Sequence, residues 1–152
     1  MVWVNDQRIR DAQIQLTKLG YPTKIRILGR RKFAMIISLR KLRKTVEENV
    51  GKYFDYAIYD ATTKTTPTLG IKARGNFSGF DLRTLEPMVA KLEVAGFKTA
   101  IKLSEDFKEI DFKISLQPLQ DVFTMRGIPK RLFTEKLKVE NNNPYLIITF
   151  VG

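Results

Sequence analysis

Apolar residues at Ile9, Ala12, Leu16 and Leu19 step by three and four, the stride of a helix that buries one face. Asn5 or Asp6 stands where an N-cap belongs, and Gly20 offers a left-handed stop behind the last apolar position. Residues 24–28 then alternate, Gly29-Arg30-Arg31 is turn-like, and Phe33, Met35 and Ile37 alternate again, which predicts a β-hairpin. Ser38 caps a second predicted helix that runs to about Val50, with Leu39, Leu42, Val46 and Val50 on one face. Two more strands are predicted at 53–60 and 68–74, joined by the polar loop 61–67. After Gly75-Asn76-Phe77-Ser78-Gly79, Asp81 caps a helix carrying Leu82, Leu85, Val89 and Leu92. Pro87 lacks a backbone donor, so the regular helix is expected to begin near Glu86. Strands follow at 98–103 and 110–115, a short helix near 118–125, and last strands at 131–139 and 144–151.

The pattern repeats. Residues 16–27 (LTKLGYPTKIRI) return 76 residues later as 92–103 (LEVAGFKTAIKL), with Leu, Gly, Thr and Ile unchanged. Further on, Ile37-Ser38-Leu39 answers Ile114-Ser115-Leu116, and Pro67, Leu69 and Ile71 answer Pro144, Leu146 and Ile148. The chain therefore reads as an internally duplicated α+β protein of two α-β-β-α-β-β halves, 1–79 and 80–152, expected to form one pseudo-twofold compact domain. Its sheet should be largely antiparallel with the helices on one face. The inward set would be Ile25, Ile27, Phe33, Met35, Ile37, Phe54, Tyr56, Ile58, Leu69 and Ile71, matched later by Ile101, Leu103, Ile110, Phe112, Ile114, Phe133, Leu137, Leu146 and Ile148. The outward set holds Lys24, Arg26, Tyr53, Tyr59, Lys72 and Arg74, then Lys102, Lys113, Lys136, Lys138 and Tyr145. Halves joined edge to edge would give about eight strands and hide two edges; two separate four-stranded sheets are the other arrangement this pattern allows.

Charge adds a direction to this scaffold. The 152 residues are 43% apolar, enough for a core. Their 27 Lys and Arg against 16 Asp and Glu leave +11, which favours a polyanionic partner. Residues 1–80 hold 16 basic against 6 acidic residues, whereas 81–152 hold 11 against 10. Between Lys24 and Lys44 lie nine basic residues and no acid, while the corresponding hairpin tip of the second half, 104–109, is acidic. A duplicated scaffold needs this charge in neither copy to fold, so the asymmetry points to function.

The expected function is non-enzymatic nucleic-acid binding, to DNA or RNA. Arg30, Arg31 and Lys32 at the hairpin tip, with Arg40, Lys41, Arg43 and Lys44 at the start of the next helix, would straddle a phosphate backbone. The outward Lys24, Arg26, Tyr53, Tyr59, Lys72 and Arg74 would form a second surface where aromatics interleave with cations, a composition suited to stacked bases. An acidic protein partner is the alternative for the same charge. A third reading is a metal-dependent nuclease resting on Asp111-Phe112-Lys113, a strand presenting an acid for the metal and a lysine for the water. The absence of Cys and His excludes disulfides, thiolate zinc sites and histidine acid-base chemistry. No phosphate-loop motif follows a strand, and Gly75 and Gly79, with Asn76, Phe77 and Ser78 between them, read as a linker. No cofactor, metal site or catalytic residue is expected. No apolar run approaches a membrane span and the N-terminus does not read as a signal peptide, so a soluble, intracellular, cytoplasmic protein without a membrane partner is expected.

Overall fold

The computed structural model describes residues 2–151. Helix α1 (Gln7–Leu19) begins where the Asp6 side chain accepts from the Arg8 amide and ends at Gly20, whose φ of 95° a side chain would strain. The hairpin β1 (Thr23–Gly29) and β2 (Lys32–Ser38) follows, then α2 (Arg40–Val50), β3 (Asp55–Asp60) and β4 (Thr68–Arg74). Asp81 caps a short 3₁₀ turn, and α3 (Glu86–Val94) starts with Pro87 in its first turn, where a missing donor costs nothing. Then come β5 (Thr99–Leu103), β6 (Glu109–Ser115), α4 (Gln117–Thr124), β7 (Phe133–Glu140) and β8 (Asn143–Val151). The class is α+β, with antiparallel sheets and two roughly repeated halves.

The strands divide into two four-stranded sheets, ordered β1-β2-β8-β7 and β3-β4-β6-β5. Two compact units result: Met1–Lys41 with Leu119–Gly152, and Leu42–Pro118. The chain leaves the first unit within α2 and returns to it within α4. Each sheet takes one hairpin from each half of the sequence, so the compact units and the halves are cut at different places. Equivalent strands make equivalent pairs: Met35 faces Ile148 as Phe112 faces Ile71. The Leu39 amide donates to Pro144 O at 2.9 Å, and the Leu116 amide to Pro67 O at 2.8 Å. A hairpin alone leaves both outer edges unpaired; joining β2 to β8 and β4 to β6 satisfies one edge of every hairpin.

One face of each sheet is covered. In the first unit Phe33, Met35, Ile37, Leu146, Ile148 and Phe150 are fully buried, as are Ile9, Ala12 and Leu16 of α1. The α4 ring Phe123 meets Phe150 at 5.4 Å and Phe133 at 5.8 Å, and Phe33 stacks on Phe150 at 4.9 Å. Truncating a ring at the centre of such a cluster costs about 3–5 kcal/mol, so these phenylalanines fix α4 on its sheet. In the second unit Leu69, Ile71, Ile110, Phe112 and Ile114 are buried, with Leu42, Val46 and Val50 of α2 and Met88 and Leu92 of α3.

Three local expectations change. Ile27 stays opposite Phe33 but is 61% exposed, because it lies at the end of an edge strand beside a bulge. Tyr53 is not in a strand: it sits in a 3₁₀ turn, its ring 6.0 Å from buried Phe77 and 6.4 Å from Phe80. Glu135 falls on the covered face between Phe133 and Leu137, opposite Ile148. There its carboxylate accepts from Gln120 Nε2 at 2.6 Å, and burial pushes its pKa up.

Candidate nucleic-acid interface

The opposite face of the first unit's sheet has charged edges and an apolar middle. Cross-strand partners share a face, so the register reads as rows. One row runs Lys24, Ile36, Ile147, Lys136, and the next Arg26, Ala34, Thr149, Thr134. At one end Ser38 faces Tyr145, which faces Lys138; at the other Lys32 faces Val151. Edge strands β1 and β7 thus carry Lys24, Arg26, Lys136 and Lys138, and central strands β2 and β8 carry Ile36, Ile147 and Tyr145, with Lys32 at the turn end of β2. A groove of about 330 Å³ opens here, with Glu140, Asn141 and Asn143 at its rim beside Lys138. The side chains of Lys24, Arg26, Lys32, Lys136 and Lys138 make no hydrogen bond or ion pair among the described residues. The Tyr145 side chain is half-buried and makes no hydrogen bond or ring contact among them either.

Arg30 and Arg31 occupy the β1–β2 turn, exposed and likewise without an intramolecular partner among the described residues. The helix start expected to adjoin them does not. Arg40 follows the opposite end of β2, roughly 20 Å away along six residue steps. Arg40 is exposed, but Lys41 Nζ donates to Leu19 O at 2.6 Å and lies 5.5 Å from the Tyr21 ring centre. In the second unit Arg43 turns toward the sheet, donating to Tyr56 Oη at 3.0 Å and standing 3.8 Å from Glu47, with its side chain 12% exposed. The stride of α2 accounts for this: position 43 lies four residues past Leu39 and three before Val46, both buried. Lys44, one residue on, is exposed.

The second unit's equivalent face is built the other way round. Its central strands carry the charges, in the rows Asp55, Arg74, Glu109 and Ala57, Lys72, Asp111, Lys102. Lys72 Nζ stands 3.6 Å from Glu109 and 5.1 Å from the Tyr59 ring centre. Tyr59 lies across Gly70, where an added Cβ would meet its ring at 2.4 Å, and donates to Asp111 Oδ1 at 2.6 Å. Burial first and the Asp111 carboxylate second raise the Tyr59 hydroxyl's pKa, so it stays a donor at neutral pH. On this face Lys72, Arg74, Lys102 and Lys113 are interleaved with Asp55, Glu109 and Asp111, and Tyr59 fills the centre. The β5–β6 tip is acidic too: Asp106 accepts from Ser104 Oγ and the Lys108 amide, which hold its carboxyl below the usual range.

Net charge follows the compact units. The first holds 15 Lys and Arg against 5 Asp and Glu, net +10; the second holds 12 against 11, net +1. Comparison with protein-family models, with curated proteins and with solved structures finds no match to this chain.

Of the thirteen residues the sequence singles out, Lys24, Arg26, Arg30, Arg31 and Lys32 gather on one face and tip of the first unit. Arg40 and Lys41 lie at the far end of β2, Arg43 and Lys44 fall to the second unit, and Tyr53, Tyr59, Lys72 and Arg74 belong there too. Sequence reasoning left Lys136 and Lys138 out of the site, although their alternation put them on the outward side. Asp111, the nuclease candidate, is engaged by Tyr59, and no cluster of three metal-ligating side chains exists among the described residues. In the loop after β4 the Gly75 and Phe77 amides donate to Lys108 O and Phe107 O, and the Ser78 amide to Asn76 Oδ1, so these donors are engaged. Among the described residues no helix is long and apolar enough to cross a membrane.

Proposed function

We propose that this protein binds nucleic acid without acting on it chemically, holding phosphates with Lys24, Arg26, Arg30, Arg31, Lys32, Lys136 and Lys138. The observation that carries this reading is that these seven cations share one unit and, among the described residues, pair with no acid, whereas the second unit's face interleaves Lys72, Arg74, Lys102 and Lys113 with Asp55, Glu109 and Asp111. A protein gains nothing in stability by crowding like charges on one face; the repulsion is relieved when a polyanion arrives and its counterions are released. The matched strand registers support reading the chain as one duplicated unit whose descendants diverged in charge, and a cytoplasmic place belongs to the same reading.

The test is a titration against DNA and RNA, each single- and double-stranded, with wild type and with Arg30→Glu, Arg31→Glu and Lys32→Glu combined. The triple reversal should weaken binding by roughly a hundredfold or more at low salt while thermal unfolding stays put. Equal affinity before and after reversal refutes the reading. Recovery of a single stoichiometric protein after nuclease treatment, with no nucleic acid bound, would point instead to an acidic protein partner. Strand cleavage that begins with added Mg²⁺ or Mn²⁺ and ends with Asp111→Ala would point to a nuclease.

A further inference from the structure

We infer that the ligand on the first unit's open sheet face is single-stranded nucleic acid, with a base laid on the apolar middle against Tyr145 and phosphates held at the two cationic edges. This rests on the phosphate-binding reading and goes beyond it in naming strandedness and the seat of the base. The chemistry of the face makes the choice. A duplex hides the faces of its bases in the stack and offers its outer surface as phosphate and sugar, for which a bed of lysines is the complement. Here the cations Lys24 and Arg26 on β1 and Lys138 on β7 are held apart, and what lies between them is Ile36, Ile147 and Tyr145.

From Lys24 to Lys136 the row spans three strand spacings, about 14 Å. That is room for one ribose-phosphate chain along an edge with its bases turned inward. The groove of about 330 Å³ lies at the small end of ligand-site volumes, fitting a base and its sugar rather than paired strands. A base face, unlike a phosphate, gains from leaving water for an isoleucine bed and an aromatic ring. Tyr145 and Ile147 remain partly open to water, and Tyr145 makes no ring contact among the described residues that would explain an aromatic there.

The second unit supplies an internal contrast on the same scaffold. There the residues equivalent to Ile147 and Ala34 are Gly70 and Asp111, and Tyr59 folds over the glycine onto the carboxylate. Tyr59 occupies the centre of that face and Lys72 is paired with Glu109, while Lys102 and Lys113 flank them. The same strand pairing therefore yields one face whose centre Tyr59 fills and one whose centre is left apolar between cations; the groove of about 440 Å³ on the second unit's face, lined by Thr68, Lys98, Ala100, Lys113 and Ser115, has no aromatic side chain to stack on a base.

The experiment is fluorescence anisotropy with a labelled oligo-dT, an oligo-rU, the corresponding duplexes and inorganic polyphosphate, at fixed salt. Single strands should bind at least about tenfold more tightly than duplexes or polyphosphate of equal charge, and the dT and rU arms tell DNA from RNA. Tyr145→Ala should weaken single-strand binding roughly 5- to 150-fold, the range of one lost stacking contact, with the duplex affinity unmoved. Tyr145→Phe should restore binding, and Tyr59→Phe, on the second unit's face, should leave it alone. A wild-type measurement guards against misfolded variants: 2-aminopurine placed mid-strand should be quenched on binding. Equal binding of duplex and single strand, or an unquenched base analogue, overturns this inference but leaves phosphate binding standing. No binding of any nucleic acid at low salt overturns both.

Discussion

Replacing Lys136 and Lys138 together by Ala removes two cations that β7 brings to the open face. Both project from an edge strand, make no intramolecular ion pair among the described residues, and are exposed. Stability should therefore move by less than about 0.5 kcal/mol. Binding should change in a defined way. If each of the seven free cations meets one phosphate, the slope of log K against log salt for a single strand is about −5, from about −0.7 per phosphate. Without the pair it is about −3.5. Raising salt from roughly 50 to 200 mM then weakens wild type about a thousandfold and the variant about a hundredfold. The matching control is Lys72→Ala with Arg74→Ala, which removes the same charge from the face that its own Asp55, Glu109 and Asp111 already neutralise. Its slope should stay at the wild-type value. Anisotropy titrations at four or so salt concentrations measure all three. An unchanged slope for the β7 pair, or equal changes for both pairs, refutes the assignment of phosphate contacts to this face, since long-range net charge alone would then account for binding.

Other expected outcomes concern the fold itself. Gly70→Ala should cost about 2 kcal/mol, because a Cβ 2.4 Å from the Tyr59 ring must expel it and break its bond to Asp111; in a Tyr59→Ala background the same change should cost almost nothing, as a denaturant double-mutant cycle will show. Glu135→Gln should stabilise the protein by about 1 kcal/mol at neutral pH, raising Tm by about 2–4 °C, since the half-buried carboxylate leaves Oε2 without a partner. The sign follows from its raised pKa: the fold prefers the neutral acid, so wild type loses stability as pH rises through the carboxyl range, and the advantage of Gln should vanish below about pH 4. Burial pushes Tyr21 up to about 12. Its contribution is therefore intact below about pH 10, where an unfolded tyrosine titrates, and is lost as pH rises toward 12. Tyr21→Phe should flatten the alkaline limb of the unfolding curve and remove a late-titrating tyrosinate from the ultraviolet absorbance.

Much of the secondary structure is local and was legible as such. Asp6, Gly20, Asp81 and Pro87 act within one turn of chain, so their types and spacing are enough to place both ends of α1, the 3₁₀ turn before α3 and the start of α3. Alternation places Phe33, Met35 and Ile37 inside, because a strand can turn only every second side chain to the helices. Tyr53 and Arg43 show the limit of this kind of reading. Whether position 53 opens a strand or a 3₁₀ turn depends on Phe77 and Phe80, more than 20 residues away. Charge alone groups Arg43 with its neighbours, though its place one turn from buried Leu39 and Val46 signals the inward face.

By itself the sequence determined the elements, the repeat, the covered faces and the excess of positive charge. Only the tertiary structure decided which hairpins share a sheet, and with that which cations are neighbours. Alternation assigns Lys136 to a side of its strand but is blind to the strand beyond, since backbone hydrogen bonds are the same for any partner. When the inner edge of β8 pairs with β2 instead of with another strand of its own half, Lys136 and Lys138 come to face Lys24 and Arg26 across an apolar bed. The same exchange sets Asp111 beside Lys72 in the other sheet and cancels the charge there. Separation in space, which governs electrostatic energy, is fixed by that pairing and not by position along the chain.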